Sequence, residues 1–296
     1  MPQQILITAK DLAKKYQLVA KKSLGQNFIF DQNFTNKIVK IAGDITNKTV
    51  IEIGPGPGGL TLSILTANPK KLIAIEKDRI AVEILKDLAN HFPPQQLEII
   101  NQDALSLDLE TLTEDRFKII ANLPYNIGTA LLIKWLKNLS KIDSIHIMLQ
   151  KEVARRIVAK VGDSCYGRLA VIANYLCDTK ILMTVPPTVF TPQPKVDSAI
   201  VELIPKKSCN ILQPQLSLEI LEKATAILFN QPRKMLKSPL KKMFGNDYIN
   251  IMQQLIPDLN TNLRPQNLAI TDCITIAKYY QKTTTNKSTD INDNNL

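Results

Sequence analysis

Metal-ligating side chains are scarce in this chain. Its 296 residues include two histidines, His91 and His146, and four cysteines, Cys165, Cys177, Cys209 and Cys273. None falls at the spacing of a zinc site, so no metal centre is expected. The cysteines are too few and too scattered for a disulfide framework, which points to a reducing compartment. Long apolar runs are missing as well. None approaches the roughly 20 residues of a membrane helix, and the lysine-rich N-terminus lacks the apolar stretch of a signal peptide. The leader carries Asp11 and no arginine, unlike a transit peptide, so a soluble, cytoplasmic protein is expected. The G-x-x-x-x-G-K-[ST] loop is also absent, which argues against an NTPase. Acidic residues are outnumbered: 27 against 37 basic ones, a net charge of +10 and a pI near 9.3. Such a surplus suits a polyanionic partner such as nucleic acid, although a lysine-rich composition typical of AT-rich genomes gives the same number.

What is present alternates. Short apolar runs at 50–53, 72–75, 97–100, 117–121, 145–149, 181–185 and 198–204 read as seven strands. Helical periodicity falls between most of them, at 60–66, 79–88, 130–136, 152–160 and 169–177. That order predicts a mostly parallel sheet covered on both faces. The last two strands are joined by a proline-rich loop without a helix, so that pair is expected to be antiparallel. Asp31 is placed to cap a helix carrying Ile38 and Ile41. Four segments are predicted: a basic leader (1–30), an α/β domain (31–205), a small all-helical domain (206–281) reached through a polar linker at 206–214, and a disordered tail (282–296) rich in Thr, Asn and Asp.

After the first strand comes Glu52-Ile53-Gly54-Pro55-Gly56-Pro57-Gly58-Gly59. Gly54, Gly56 and Gly59 satisfy the dinucleotide fingerprint G-x-G-x-x-G. Glu76, ending the next strand, is placed to bind ribose hydroxyls. The loop alone therefore says only that a nucleoside-containing cofactor binds. Two residues favour S-adenosylmethionine: Glu52, set to organise an amino-acid end, and Asp103, set to accept from an adenine amino group. An ordinary turn residue is the alternative for Asp103.

Asn122-Leu123-Pro124-Tyr125 follows the fourth strand, at a carboxyl end where open α/β sheets bind ligands. The Asn122 side-chain oxygen and the Leu123 carbonyl can both accept from an exocyclic amine. Pro124 fixes the backbone, and Tyr125 offers a stacking face. A capped strand-to-helix loop is the plainer alternative.

Taken in this order, the glycine loop, Glu76, Asp103 and the Asn-Leu-Pro-Tyr segment resemble the ribosomal RNA adenine N6,N6-dimethyltransferases. Further segments carry the likeness across about 21–277: Ser23-Leu24-Gly25-Gln26-Asn27-Phe28, Gln150-Lys151-Glu152-Val153, Tyr166-Gly167-Arg168-Leu169, Phe190-Thr191-Pro192-Gln193-Pro194-Lys195-Val196-Asp197-Ser198 and Phe229-Asn230-Gln231. The details are similar to the bacterial housekeeping branch. The antibiotic-resistance branch, which acts on large-subunit rRNA, usually lacks the Gln-Lys-Glu-Val segment. The resemblance implies a Rossmann-like class I methyltransferase sheet of seven strands, the last antiparallel, with a small all-α C-terminal domain. It implies S-adenosylmethionine held by Asn27, Ile29, Gly54, Glu76, Asp103 and Asn122. The catalytic set it implies is Asn122, Leu123, Tyr125 and Phe190, the two rings sandwiching the target base. The implied reaction is dimethylation of two neighbouring adenosines near the 3′ end of small-subunit rRNA, in a precursor small ribosomal subunit, by a monomer that needs no metal.

Charge supplies the candidate RNA contacts. Arg233, Lys237 and Lys241 fall at four-residue spacing on a helix expected to begin at Pro232, with Lys234 and Lys242 beside them. The family often has paired arginines there, so Pro232 removes one charge. Lys21 and Lys22 are further candidates, Arg155 and Arg156 weaker ones. A solvated cationic face is the alternative. Three other functions stay open on sequence: a resistance-type methylase, a non-catalytic assembly or transcription factor, and a dinucleotide-dependent dehydrogenase.

Overall fold

The computed structural model describes residues 7–207 and 216–292. Most of the expected linker, from 208 on, lies outside the described residues. The chain forms two compact units: residues 1–154 with 179–205, and residues 155–178 with 206–296.

The first unit is built on apolar strands. β1 (Phe28–Ile29) precedes α2 (Gln32–Ile41), whose first turn Asp31 caps by accepting from the amides of Asn33 and Phe34. Then come β2 (Thr49–Ile53), α3 (Gly59–Thr66), β3 (Lys71–Glu76), α4 (Arg79–Ala89), β4 (Leu97–Asn101), β5 (Phe117–Asn122), α5 (Gly128–Leu136) and β6 (Ile142–Gln150). Helix α6 (Lys151–Val158) spans the boundary of the units, and α7 (Arg168–Leu176) belongs to the second. β7 (Cys177–Val185), β8 (Phe190–Thr191) and β9 (Ser198–Pro205) complete the strands.

Seven strands form one sheet in the order β4-β3-β2-β5-β6-β9-β7. Strands β2 to β6 pair in parallel, and β9 runs antiparallel to β6. Every residue of β2 is buried, as expected of strands covered on both faces. The chain leaves β2 toward β3 and β4 on one side, then returns to lay β5 and β6 on the other. The carboxyl ends of β2 and β5 therefore flank the topological switch point, where a doubly wound sheet opens a crevice.

The leader is more ordered than its charge suggests. Thr8 caps α1 (Ala9–Lys15), and Leu12 is buried with Leu62, Ile84 and Leu88. Ala9, Leu12 and Ala13 fall at helical spacing, a period interleaved with the charges of Lys10, Asp11, Lys14 and Lys15.

In the second unit α7 packs with α8 (Leu218–Leu228), and the ring of Tyr166 stands edge-on to Phe229 with centroids 5.8 Å apart. α9 (Lys237–Phe244), α10 (Tyr248–Leu255) and α11 (Ile270–Asn292) follow. The helix expected from Pro232 starts only at Lys237. A helix from 232 needs the amides of Leu236 and Lys237 for its own carbonyls, but these donate to Leu263 and Thr261 at 2.8 and 3.0 Å. Arg233 thus sits in a turn before the helix that carries Lys237 and Lys241. Helix α11 continues past 282 into the compositional tail, and 293–296 lie outside the described residues.

Candidate active site

The crevice at the switch point is a cavity of about 170 Å³. Three loops meet there: the glycine loop after β2, the loop after β5, and a strap formed by 21–29. The glycine loop carries positive φ at Gly54 and Gly56, +66° and +55°, conformations that glycine adopts without a Cβ clash. Its fit against the strap is tight. A Cβ on Gly56 would lie 3.0 Å from the Phe28 ring, and one on Gly59 would lie 2.2 Å from the Ile29 carbonyl oxygen.

Acidic side chains line the cavity. Glu52 is 1% exposed and its Oε2 accepts from the Thr61 hydroxyl at 2.7 Å. Burial pushes its carboxyl up to about 8, with the Thr61 bond pulling it down and the Glu76 charge adding to the rise. Glu76 is nearly as buried. Its two oxygens accept from the amides of Gly56, Lys77 and Asp78 at 3.0, 2.7 and 2.8 Å. Burial raises its carboxyl above the ordinary value, opposed by those three amides. Asp103 accepts from Lys77 Nζ and from the Leu105 amide, at 2.7 and 2.9 Å, and these bonds hold its carboxyl below the usual range. Among the described residues Lys77 is the one basic side chain lining the cavity, and its charge is already paired with Asp103.

The loop after β5 is oriented from two directions. The Asn122 Nδ2 donates to the backbone carbonyl of Asn27 at 3.0 Å. That bond settles which end of the amide is which and leaves Oδ1 without a partner among the described residues. The Leu123 amide donates to Met148, and its carbonyl likewise has no partner among them. The Tyr125 hydroxyl lies 2.6 Å from Ser198 Oγ at the start of β9, and burial raises its ionisation above the usual phenol value. Two adjacent acceptors beside a half-buried ring can hold a planar amine by its two hydrogens and its face.

The structure brings Asn27, Ile29, Gly54, Glu76, Asp103, Asn122, Leu123 and Tyr125 to one cavity. It does not bring Phe190, which is 4% exposed in the sheet's hydrophobic core and whose backbone pairs with Ile29. Lys21 turns its ammonium to Asp78 at 2.9 Å, while Lys22 is exposed. Arg233, Lys234, Lys237 and Lys241 are exposed on the second unit. Sequence reasoning missed Gln26, Asp78 and Ser198. Asp78 reads as a plain helix cap, and the partners of Ser198 and Asp78 lie 73 and 52 residues away, beyond any local pattern.

Among the described residues no group of three or more His, Cys, Asp or Glu is placed to hold a metal ion. Nor is any helix among them long and apolar enough to cross a membrane.

A doubly wound sheet with β9 reversed, an acidic cavity at the switch point and paired amine acceptors beside it define a Rossmann-like methyltransferase. The family model of ribosomal RNA adenine dimethylase matches residues 17–282. The chain belongs to that family. It is 42% identical to the ribosomal RNA small subunit methyltransferase A of Zymomonas mobilis, over 95% of this chain and 99% of that one. To the protein of the same name from Afipia carboxidovorans it is 46% identical, over 79% and 83%. Among solved structures it resembles a dimethyladenosine transferase from Plasmodium falciparum, with TM-score 0.70 and 26% identity over 86% of this chain and 98% of that one. The 23S rRNA methyltransferase ErmE shares the fold, with TM-score 0.64 and 22% identity over 86% and 100%.

Proposed function

We propose that this protein uses S-adenosylmethionine to methylate the N6 amine of two adjacent adenosines near the 3′ end of small-subunit (16S) rRNA, twice each, in a precursor small ribosomal subunit. One observation carries the reading: Asn122 is pinned through its Nδ2 by the Asn27 carbonyl, so that Oδ1 and the Leu123 carbonyl stand as paired acceptors at the cavity.

The lining fits the cofactor. Three carboxylates and one already neutralised ammonium suit a cationic ligand with hydroxyls and oppose a diphosphate, which needs free donors or positive charge. That choice disfavours a dinucleotide-dependent dehydrogenase. Glu76 would hold the ribose hydroxyls, Asp103 the adenine amine, and Glu52 the amino-acid end. Bound there, S-adenosylmethionine supplies a methyl group already activated on a sulfonium.

The protein's own part is orientation. The lone pair of an adenine amine is delocalised into its ring and is a poor nucleophile. Asn122 Oδ1 and the Leu123 carbonyl accept its two hydrogens, which favours a pyramidal nitrogen and frees the lone pair. Tyr125 stacks on the base, a contact worth about 1–3 kcal/mol, and so offsets part of the cost of taking the base out of its stack. Holding two reactants in register can lower a barrier by about 7–11 kcal/mol. No strong base is required, because the methylated nitrogen is acidic and loses its proton to solvent. The exposed lysines and arginine of the second unit would meet phosphates. A monomer in the bacterial cytoplasm is part of this reading.

The test is methyl transfer to separated ribosomal subunits, read by mass spectrometry of the rRNA. N6,N6-dimethyladenosine in unmethylated small subunits is expected, and Asn122→Ala should abolish it while leaving the fold intact. Label in large subunits alone would mean a resistance-type enzyme. Absence of transfer to either subunit would leave a non-catalytic factor. The name of a relative 42% identical over 95% of the chain supports the small subunit.

A further inference from the structure

The strap is fastened at both ends. At its far end β1 pairs with β8, and Ile29 presses its carbonyl onto Gly59. At its near end lies Asp78, a carboxylate whose side chain is only 1% exposed. Its Oδ2 accepts from Lys21 Nζ at 2.9 Å and from Gln26 Nε2 at 3.4 Å. Gln26 is held in turn, since its Oε1 accepts from the Lys21 amide at 2.9 Å. Between the fastenings, Gly25 sits against the loop after β5, where a Cβ would lie 2.8 Å from Asn126 Oδ1. The next residue but one, Asn27, offers the carbonyl that pins Asn122.

We propose that Asp78 is a positioning residue for methyl transfer: by clamping Lys21 and Gln26 it fixes the strap, and through the Asn27 carbonyl it sets the direction in which Asn122 faces. The proposal rests on the function assigned above to Asn122. It also gives Lys21 a task other than binding phosphate. The Asp78 backbone amide, which donates to Glu76, is untouched by side-chain substitution, so the cofactor carboxylate keeps its place.

Asp78→Asn isolates the clamp. Asparagine still accepts from the Ile80 amide and caps α4, as Asp78 Oδ1 does at 3.1 Å. Its amide nitrogen, however, would face two donors. On unmethylated small subunits, kcat should fall about ten- to a hundredfold, the scale of a displaced reacting group. KM for RNA should stay within about twofold. Lys21→Met should show the same split and, combined with Asp78→Asn, should add little. In the cofactor-free protein, amide hydrogen exchange over 21–27 should quicken in both variants while that over β2 and β5 stays unchanged.

If Asp78→Asn misfolds, Lys21→Met decides. An unchanged kcat in Lys21→Met, a loss carried wholly by KM for RNA, or unaltered exchange over 21–27 would overturn the proposal. If the wild type transfers no methyl at all, the functional reading fails, while the exchange comparison still reports on the clamp.

Discussion

Glu52 allows a quantitative test of the cavity. Its carboxyl is enclosed, and among the described residues its one hydrogen bond comes from Thr61 and no cation faces it. The folded-state value of about 8 lies above the ordinary glutamate value of 4.5. The sign follows directly. Below the unfolded value both states carry the proton and stability is at its fullest. As pH rises toward 8 the unfolded chain ionises while the folded one resists, so stability falls across that window and levels off above it. Each unit of difference is worth about 1.4 kcal/mol, which sets a ceiling near 5 kcal/mol. Relaxation and water entry lower that ceiling, so we expect a loss of about 2–4 kcal/mol between pH 5 and pH 8.5. Glu52→Gln keeps an acceptor for Thr61 and carries no charge. It should match the wild type at pH 5 and exceed it by that amount at pH 8.5. Trp135 is the single tryptophan, buried in α5 of the first unit, so urea unfolding followed by its fluorescence reads this unit alone. Parallel stability curves for the two proteins from pH 5 to 8.5 would refute the reasoning.

Two other predictions concern residues outside the cavity. Phe190→Ala should destabilise the first unit by about 3–5 kcal/mol, the cost of emptying a core aromatic site, as read by Trp135 fluorescence. Unchanged stability with lost methyl transfer would instead mark the ring as a stacking face for the base. Lys237→Ala with Lys241→Ala should flatten the salt dependence of RNA affinity by about 1.4–1.8 in log–log slope, the value for two lost phosphate contacts. An unchanged slope would make these lysines a solvated face.

The sheet was legible because its strands are short, apolar and separated by helical periods. β2, β3 and β5 begin within one residue of their expected positions. The position of the loop after β5 at the cavity was legible for a different reason: it follows an apolar strand, and Asn122, Pro124 and Tyr125 each carry chemistry that depends on local geometry. What stayed hidden is non-local. Ser198 holds the Tyr125 hydroxyl from 73 residues away, and Asn27 acts through a backbone carbonyl that no side-chain pattern encodes. Phe190 shows the reverse. Its motif sets it against the base, and the structure buries its ring at 4% exposure among core residues, with its backbone paired to Ile29. Tertiary pairing likewise displaced the start of α9, because Leu263 and Thr261 take the amides a longer helix would need.

Gly59 opens α3 beneath the strap, and what comes closest to it is the protein's own backbone. Glycines in such loops are commonly counted as space cleared for a ligand. Here one of them clears space for the wall of the pocket. An alanine methyl at this position would lift the Ile29 carbonyl and carry Asn27 with it. Cofactor binding and the orientation of Asn122 would then be lost together. A glycine scan scored by activity would assign that loss to a missing ligand contact, although the damaged contact is between two parts of the protein.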